Sequence, residues 1–330
     1  MTESEAEAIG LPQSKPAPEE LIPLLQSADL SSQPVIPATI VYGLSDVTAD
    51  EFRALAPVWA SLPALAKDKV LRALNEASEV MFELNYREIA LRCLCDESGL
   101  VRATAIELLW ADESAETMRK LMDLAETDLD SAVKSSALKN LGRFILLGEY
   151  GDIPAELAAR AQELTLRAHR DEGQSVEVRR RALEALANSS HGAVNELIHA
   201  AYTNGNHELK LGAIFAMGRT CNKMWRNFLL AELENADSEC VFEAIRACGQ
   251  VQLGEAVQRL GEYTLGDDQE IQLMAIWSLG EIGGKRAFEI LARLEENVED
   301  AGLANAIDEA LDAAGFSLSF AALGLDLDDD

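Results

Sequence analysis

The chain has 330 residues and 57 Asp+Glu against 28 Lys+Arg, a formal net charge of −29. Nucleic-acid affinity comes mainly from Lys and Arg neutralising phosphates, so this balance, without a basic run, excludes DNA, RNA and anionic membrane surfaces as expected partners and favours basic ones. No apolar stretch reaches the ~20 residues of a membrane span, and the acidic start Met1-Thr2-Glu3-Ser4-Glu5 has no signal-peptide core, which points to a cytoplasmic chain without membrane association.

Residues 1–40 carry six of the nine prolines and several acids, and are expected to be a disordered acidic, Pro-rich segment in which Pro18 to Leu30 can form a short helix. Thr48-x-x-Glu51 is a capping box that opens a helix through Trp59. Residues 41–95, with apolar runs Leu62 to Leu74 and Met81 to Leu94, read as divergent capping helices that close one end of an array. The array spans 96–316. Val101-Arg102-x-x-Ala105-Ile106-x-x-Leu109 recurs as Val133 to Leu141, Val178 to Leu186, Leu209 to Met217, Cys240 to Cys248 and Ile271 to Leu279, with a degenerate copy at Leu303 to Leu311. The anchor residues 105, 137, 182, 213, 244, 275 and 307 are separated by 32, 45, 31, 31, 31 and 32 positions, and a fixed period of this size means a solenoid.

Within each copy the apolar residues fall at i, i+4, i+5 and i+8, the spacing of one helix face. A second apolar run precedes each copy, as in Ala193 to Ala201 and Ala287 to Leu294, so a repeat is two antiparallel helices. Acidic or polar turns between them (Asp96-Glu97-Ser98, Asp128 to Ser131, Asp237-Ser238, Asp267-Asp268) suit N-caps, and Gly142, Gly218, Gly249 and Gly280 are expected to end second helices in the left-handed conformation. The fold class is all-α, an α-α superhelix of about seven to eight helix pairs. The 45-residue step places an insertion near 144–160, with Gly148 to Asp152 as a loop and a lengthened helix from Asp152 onward. Residues 317–330 form an acidic tail whose end, Leu325 to Asp330, is expected to fray.

The pattern Asp-x-x-x-x-Val-Arg-x-x-Ala-Ile-x-x-Leu resembles the HEAT repeat in its short, phycobilisome-lyase-like variety, over residues 62 to 314. The resemblance implies a HEAT-repeat solenoid whose second helices line a concave side. It also implies that the basic residue of each copy (Arg102, Lys134, Arg179, Lys210, replaced later by Val241, Gln272 and Ala304) pairs with turn acids of adjacent repeats. HEAT arrays serve many tasks, so function has to come from particular residues.

Few residues suggest chemistry. The histidines 169, 191, 199 and 207 make no His-Glu-x-x-His, and the five cysteines make no Cys-x-x-Cys. Cys240 and Cys248 occupy packing positions of the repeat, and no catalytic, cofactor or metal residue is assigned. The deoxyhypusine hydroxylase branch of HEAT proteins holds two irons through repeated His-Glu pairs, but this chain has one pair, His207-Glu208, placed in an inter-helix turn. A HEAT-type DNA glycosylase conflicts with the charge. Surface remains. Two positions after the anchor stand Glu107, Lys139, Glu184, Phe215, Arg246, Trp277 and Glu309. Phe215 and Trp277 break a polar series with Arg246 between them, and aromatic and Arg side chains are enriched at binding hot spots. Trp110 and Trp225 read as packing residues. The expected function is a non-enzymatic, monomeric scaffold that binds a protein partner, such as a basic segment, through Phe215, Arg246 and Trp277. The rival is a bilin lyase or its partner subunit.

Overall fold

The computed structural model describes residues 15–27, 30 and 35–322, with 316–322 as backbone only. It contains eighteen α-helices and two single 3-10 turns, with no strand among the described residues. The chain divides into two compact units, Met1–Leu164 and Thr165–Asp330. The first holds α1 (Pro18–Ser27), α2 (Ala38–Gly43), α3 (Ala49–Ser61), α4 (Ala64–Val80), α5 (Arg87–Cys93), α6 (Gly99–Glu107), α7 (Ala115–Thr127) and α8 (Ser131–Tyr150). The division falls within α9 (Ala155–Arg170). The second unit holds α10 (Val176–Leu186), α11 (Val194–Asn204), α12 (His207–Arg219), α13 (Arg226–Glu232), α14 (Ser238–Gln250), α15 (Val257–Tyr263), α16 (Gln269–Ile282), α17 (Gly284–Glu295) and α18 (Ala301–Ala322). None of the described helices is long and apolar enough to cross a membrane.

In both units the second helix of each pair packs on the second helix of the next. The series is α4, α6, α8 in the first unit and α10, α12, α14, α16, α18 in the second. Each also packs on its own first helix, as α7 does on α8 and α11 on α12. The anchors are the contact points. Ala105, Ala137, Ala182, Ala213, Ala244 and Ala275 are all 0% exposed. A helix pair alone cannot bury such a face, so the core is a continuous column through each unit. Acidic turns cap the second helices as expected: Asp268 Oδ1 accepts the backbone N–H groups of Glu270 and Ile271, and Asp130 accepts that of Ala132.

Four expectations are corrected. The glycines do not end their helices. Gly218, Gly249 and Gly280 lie inside α12, α14 and α16, and the left-handed positions come three residues later, at Cys221 (φ 49°), Gln252 (φ 55°) and Gly283 (φ 62°). The glycines let helices approach: a Cβ on Gly249 would lie 2.9 Å from Ser278 Cα, and one on Gly280 2.9 Å from Ala310 Cα. Gly142 is likewise buried inside α8. Second, the expected disorder of residues 1–40 does not hold where that segment is described. Leu21 and Leu25, one helical turn apart, are each 1% exposed, and α1 packs on α3 and, through Leu21 against Gly43, on α2. Two leucines on one face of a short helix bury enough apolar area to hold it, and Pro18 sits where its missing N–H costs nothing. The capping layer therefore begins at α1. Residues 1–14 and 323–330, the latter including the expected fraying end, lie outside the described residues.

Third, the insertion is helix more than loop. α8 continues to Tyr150, Gly151 (φ 84°) ends it, and Gly148 faces Ala158 of the returning α9 so closely that a Cβ would lie 2.5 Å from the alanine's. Fourth, His207 and Glu208 open α12 and do not occupy a turn. Of the basic series, Arg102 pairs with a turn acid of the next repeat, donating to Asp128 through Nε and Nη2 at 2.8 Å each, and its Nη1 reaches the Asp96 carbonyl at 2.7 Å. Lys67, on the preceding second helix, meets Asp96 at 2.7 Å. Lys210 reaches instead the end of a first helix, at Glu232, while Arg179 donates to the His169 carbonyl.

Two tests follow from this packing. Gly249→Leu should cost about 3 kcal/mol of stability or more by forcing apart α14 and α16; unchanged urea unfolding would show that the close approach is not needed. Asp128→Asn should cost about 1.5–3 kcal/mol at neutral pH. Burial works against the Asp128 carboxylate, but the Arg102 and Asp130 hydrogen bonds outweigh it and hold its pKa below the ordinary value. The difference from wild type should thus persist through pH 5–8, and shrink only as pH falls below about 4 through the lowered folded pKa. Unfolding curves at several pH values read both.

Candidate partner-binding site

Second helices offer one face to their first helices, another to neighbouring second helices, and a third that packing leaves open. Phe215, Arg246 and Trp277 lie on this third face of α12, α14 and α16. The structure brings the first two together: the Arg246 guanidinium carbon sits 4.0 Å above the Phe215 ring centroid, a cation–π stack across adjacent repeats. Both are partly buried, whereas Trp277 on the next helix is 39% exposed. Arg246 also makes an ion pair with Glu243, one turn back on α14. Burial lowers the Arg246 pKa and raises that of Glu243, the partner's opposite charge offsetting only part of each shift. The pair is a desolvated one, and its loss leaves a charge stranded.

The sequence reading missed half of this face. Two residues before each anchor stand Ala103, Ser135, Arg180, Leu211, Phe242, Leu273 and Asn305. The apolar entries fall on the same three helices as Phe215, Arg246 and Trp277, four residues earlier and hence one turn away on the same face. Leu273 is 36% exposed beside Trp277. Reading both columns together would have shown the stripe.

Leu211, Phe242 and Ile271 floor a surface groove of about 320 Å³ over the first turns of α12, α14 and α16. Its walls carry Glu208, Glu239, Glu243, Asp268 and Glu270 against one cation, Arg180. That cation is already engaged, bound to Glu184 and to Glu208 at 2.8 Å each. Glu184, at the position equivalent to Phe215, is buried between Arg180 and Arg181 and unavailable to a partner. The open part of the groove is apolar below and acidic above. Of the remaining tryptophans singled out, Trp225 is 1% exposed and packs as expected. Trp110 does not: it is 39% exposed, with its indole N–H bonded to Ser78 at 3.0 Å.

Stacked antiparallel helix pairs with second helices in register define an α-solenoid. The HEAT-repeat family profile matches residues 226–312, covering α13 to α17 and part of α18. That stretch is similar to HEAT repeats, and the earlier copies repeat the same pattern at the same buried anchors. No curated protein sequence matches it. Among solved structures it is similar to Escherichia coli YibA, at 17% identity over 84% of this chain and 95% of that one, with a TM-score of 0.45. It is also similar to the complex of CpcE and CpcF of phycocyanin lyase from Nostoc sp. PCC7120 (18% identity, 69% and 94% covered, TM-score 0.45) and to human deoxyhypusine hydroxylase (15%, 91% and 97%, TM-score 0.35).

The desolvated pair gives a prediction of its own. Arg246→Met should lower stability by about 3 kcal/mol or more, since it leaves Glu243 buried without its cation. Adding Glu243→Gln should restore much of the loss. A double mutant no more stable than Arg246→Met would show that the two charges do not depend on each other.

Proposed function

We propose that this chain is a non-enzymatic scaffold that binds a basic, partly apolar protein segment along the open face of α12, α14 and α16. The observation behind this reading is the coincidence of two features on the same three helices. One is an apolar stripe ending in the exposed Leu273 and Trp277, and the other is a groove whose walls carry five carboxylates. A segment with Lys or Arg flanking an apolar anchor satisfies both. Its cation replaces water at Glu270, the wall carboxylate that neither caps a helix nor meets a cation among the described residues, and its anchor covers the indole of Trp277. The chain's net charge of −29 would speed the encounter of such a segment and make it sensitive to salt. The apolar contact with Trp277 carries most of the affinity and the rim carboxylates set sign and orientation.

The test is affinity capture of the full chain alongside three variants, with titration of the captured partner by fluorescence anisotropy. Trp277→Ala should weaken binding by roughly 2 kcal/mol or more, about thirtyfold, without changing the melting temperature. Glu270→Lys should weaken it further at low salt than at high salt. Glu107→Ala, the equivalent of Trp277 on an early repeat, should leave binding intact. A Trp277→Ala protein that melts lower yet binds normally would mean that the indole only packs, and the reading would fall.

A further inference from the structure

We propose that His207, Asp237 and Cys240 form a binding site for a zinc(II) ion beside the proposed partner groove, with which it shares Glu239. The three residues come from two successive repeats, His207 from the first turn of α12 and Asp237 and Cys240 from the start of α14, and their donor atoms all lie within 4.8 Å of one another. Tetrahedral zinc with bonds of about 2.0–2.3 Å spaces its ligands about 3.5 Å apart, so closing the site takes side-chain adjustments on the order of an ångström.

Two of the three donors, Asp237 and His207, are held in place by contacts of their own. Asp237 is the N-cap of α14. Its Oδ1 accepts the backbone N–H groups of Glu239 and Cys240 at 3.0 and 3.1 Å, which fixes the carboxylate and leaves Oδ2 aimed at His207 Nδ1, 3.7 Å away. The far side of the imidazole is oriented too, with Nε2 3.0 Å from Glu239 Oε2. A carboxylate on the outer nitrogen of a ligating histidine fixes its tautomer and raises its basicity, and this second contact accompanies most metal-bound histidines. The third donor, Cys240, is 2% exposed, and Lys210 beside it is held by Glu232 at 2.8 Å.

The donor set decides the ion. One thiolate, one imidazole and one carboxylate suit a borderline-soft cation and give calcium or magnesium little. Binding replaces the Cys240 S–H bond with a sulfur–metal bond and releases one proton to solvent. With His207 neutral, the two anionic donors balance the two charges of the ion. The fourth position stays open to water or to a donor from another molecule. The reading of Cys240 as a packing residue therefore describes half its role.

Cobalt(II) gives the test, because it takes zinc sites and is coloured in them. The full-length protein, reduced and stripped with a chelator, should bind one equivalent of cobalt with a near-ultraviolet thiolate-to-metal charge-transfer absorption, and zinc but not magnesium should abolish that absorption. Cys240→Ser should lose the charge-transfer band. His207→Ala, at a residue exposed enough to change without unfolding the repeat, should weaken binding at least tenfold, and Glu239→Gln about tenfold. Cys221→Ser, which removes an exposed thiol elsewhere, and Trp277→Ala should both bind cobalt as wild type does. Failure to bind one equivalent, or a band that survives Cys240→Ser, would overturn the assignment. Trp277→Ala is silent here and decisive for partner binding, while Cys240 does not line the groove, so failure of one proposal can be told from failure of the other.

Discussion

Everything in each unit depends on how closely one second helix can approach the next. The alanine anchors, together with Gly218, Gly249 and Gly280 in the second unit, set that distance, and each is wholly buried against a neighbouring backbone. A larger residue at these points would separate adjacent repeats, and no compensation elsewhere in a two-helix unit could close the gap, because each repeat touches only its neighbours. The stability of the array is therefore a sum of interfaces. Close approach also fixes rotation. Once the anchor faces a neighbouring second helix and the i+1 and i+4 residues face the first helix, the positions two before and two after the anchor turn toward the remaining face. At some repeats packing still covers these positions, as at Ser135, Glu184 and Leu211, and at α16 it leaves Leu273 and Trp277 exposed.

That geometry explains what was legible in the sequence. The period, the helix pairs and the buried anchors follow from apolar spacing, which is local and survives in a single copy. The glycines were misassigned because Gly at the end of an apolar run signals either a left-handed cap or a close helix contact. Only the neighbouring backbone distinguishes them: Ser278 against Gly249, and Ala310 against Gly280. After two of the three helices the positive-φ residue is Cys221 or Gln252, residue types that give no signal; after the third it is Gly283. α1 was hidden by composition, since the prolines and acids around it suggested disorder and the pair Leu21 and Leu25 is too short to show a period. The reading singled out Phe215, Arg246 and Trp277 from one column of the repeat. It missed Leu211, Phe242 and Leu273 because it did not compare the column four residues earlier. His207, Asp237 and Cys240 were out of reach of motif spacing altogether: the histidine is 30 and 33 residues from its partners.

The negative charge is unevenly used. Asp130, Asp237 and Asp268 cap second helices, and Asp96 and Asp128 hold Lys67 and Arg102 across repeats. These acids belong to the fold and are already neutralised by N–H groups or by cations. Carboxylates without such duties carry the field felt outside, and on the groove walls Glu270 is one of them. Net charge alone says little about a partner, since so much of it is answered internally. The relevant quantity is the charge left over at an apolar surface. At α14 and α16 that remainder is negative beside an exposed indole, while at α10 the equivalent carboxylate, Glu184, is closed off by Arg180 and Arg181.

The groove and the three-residue cluster share a construction rule. Neither is contained in one repeat, and each uses the first turns of successive second helices. There the stacking of repeats sets side chains roughly 31 residues apart into contact, and the N-cap aspartate holds the turn rigid. A change at one such position alters a site without altering the interface, because the anchor, the glycine and the first helix are untouched. A solenoid of this kind separates the residues that fold it from those that can acquire a task. The departures from the repeat consensus at Leu211, Phe215, Phe242, Arg246, Leu273 and Trp277 are therefore better guides to function than the consensus itself.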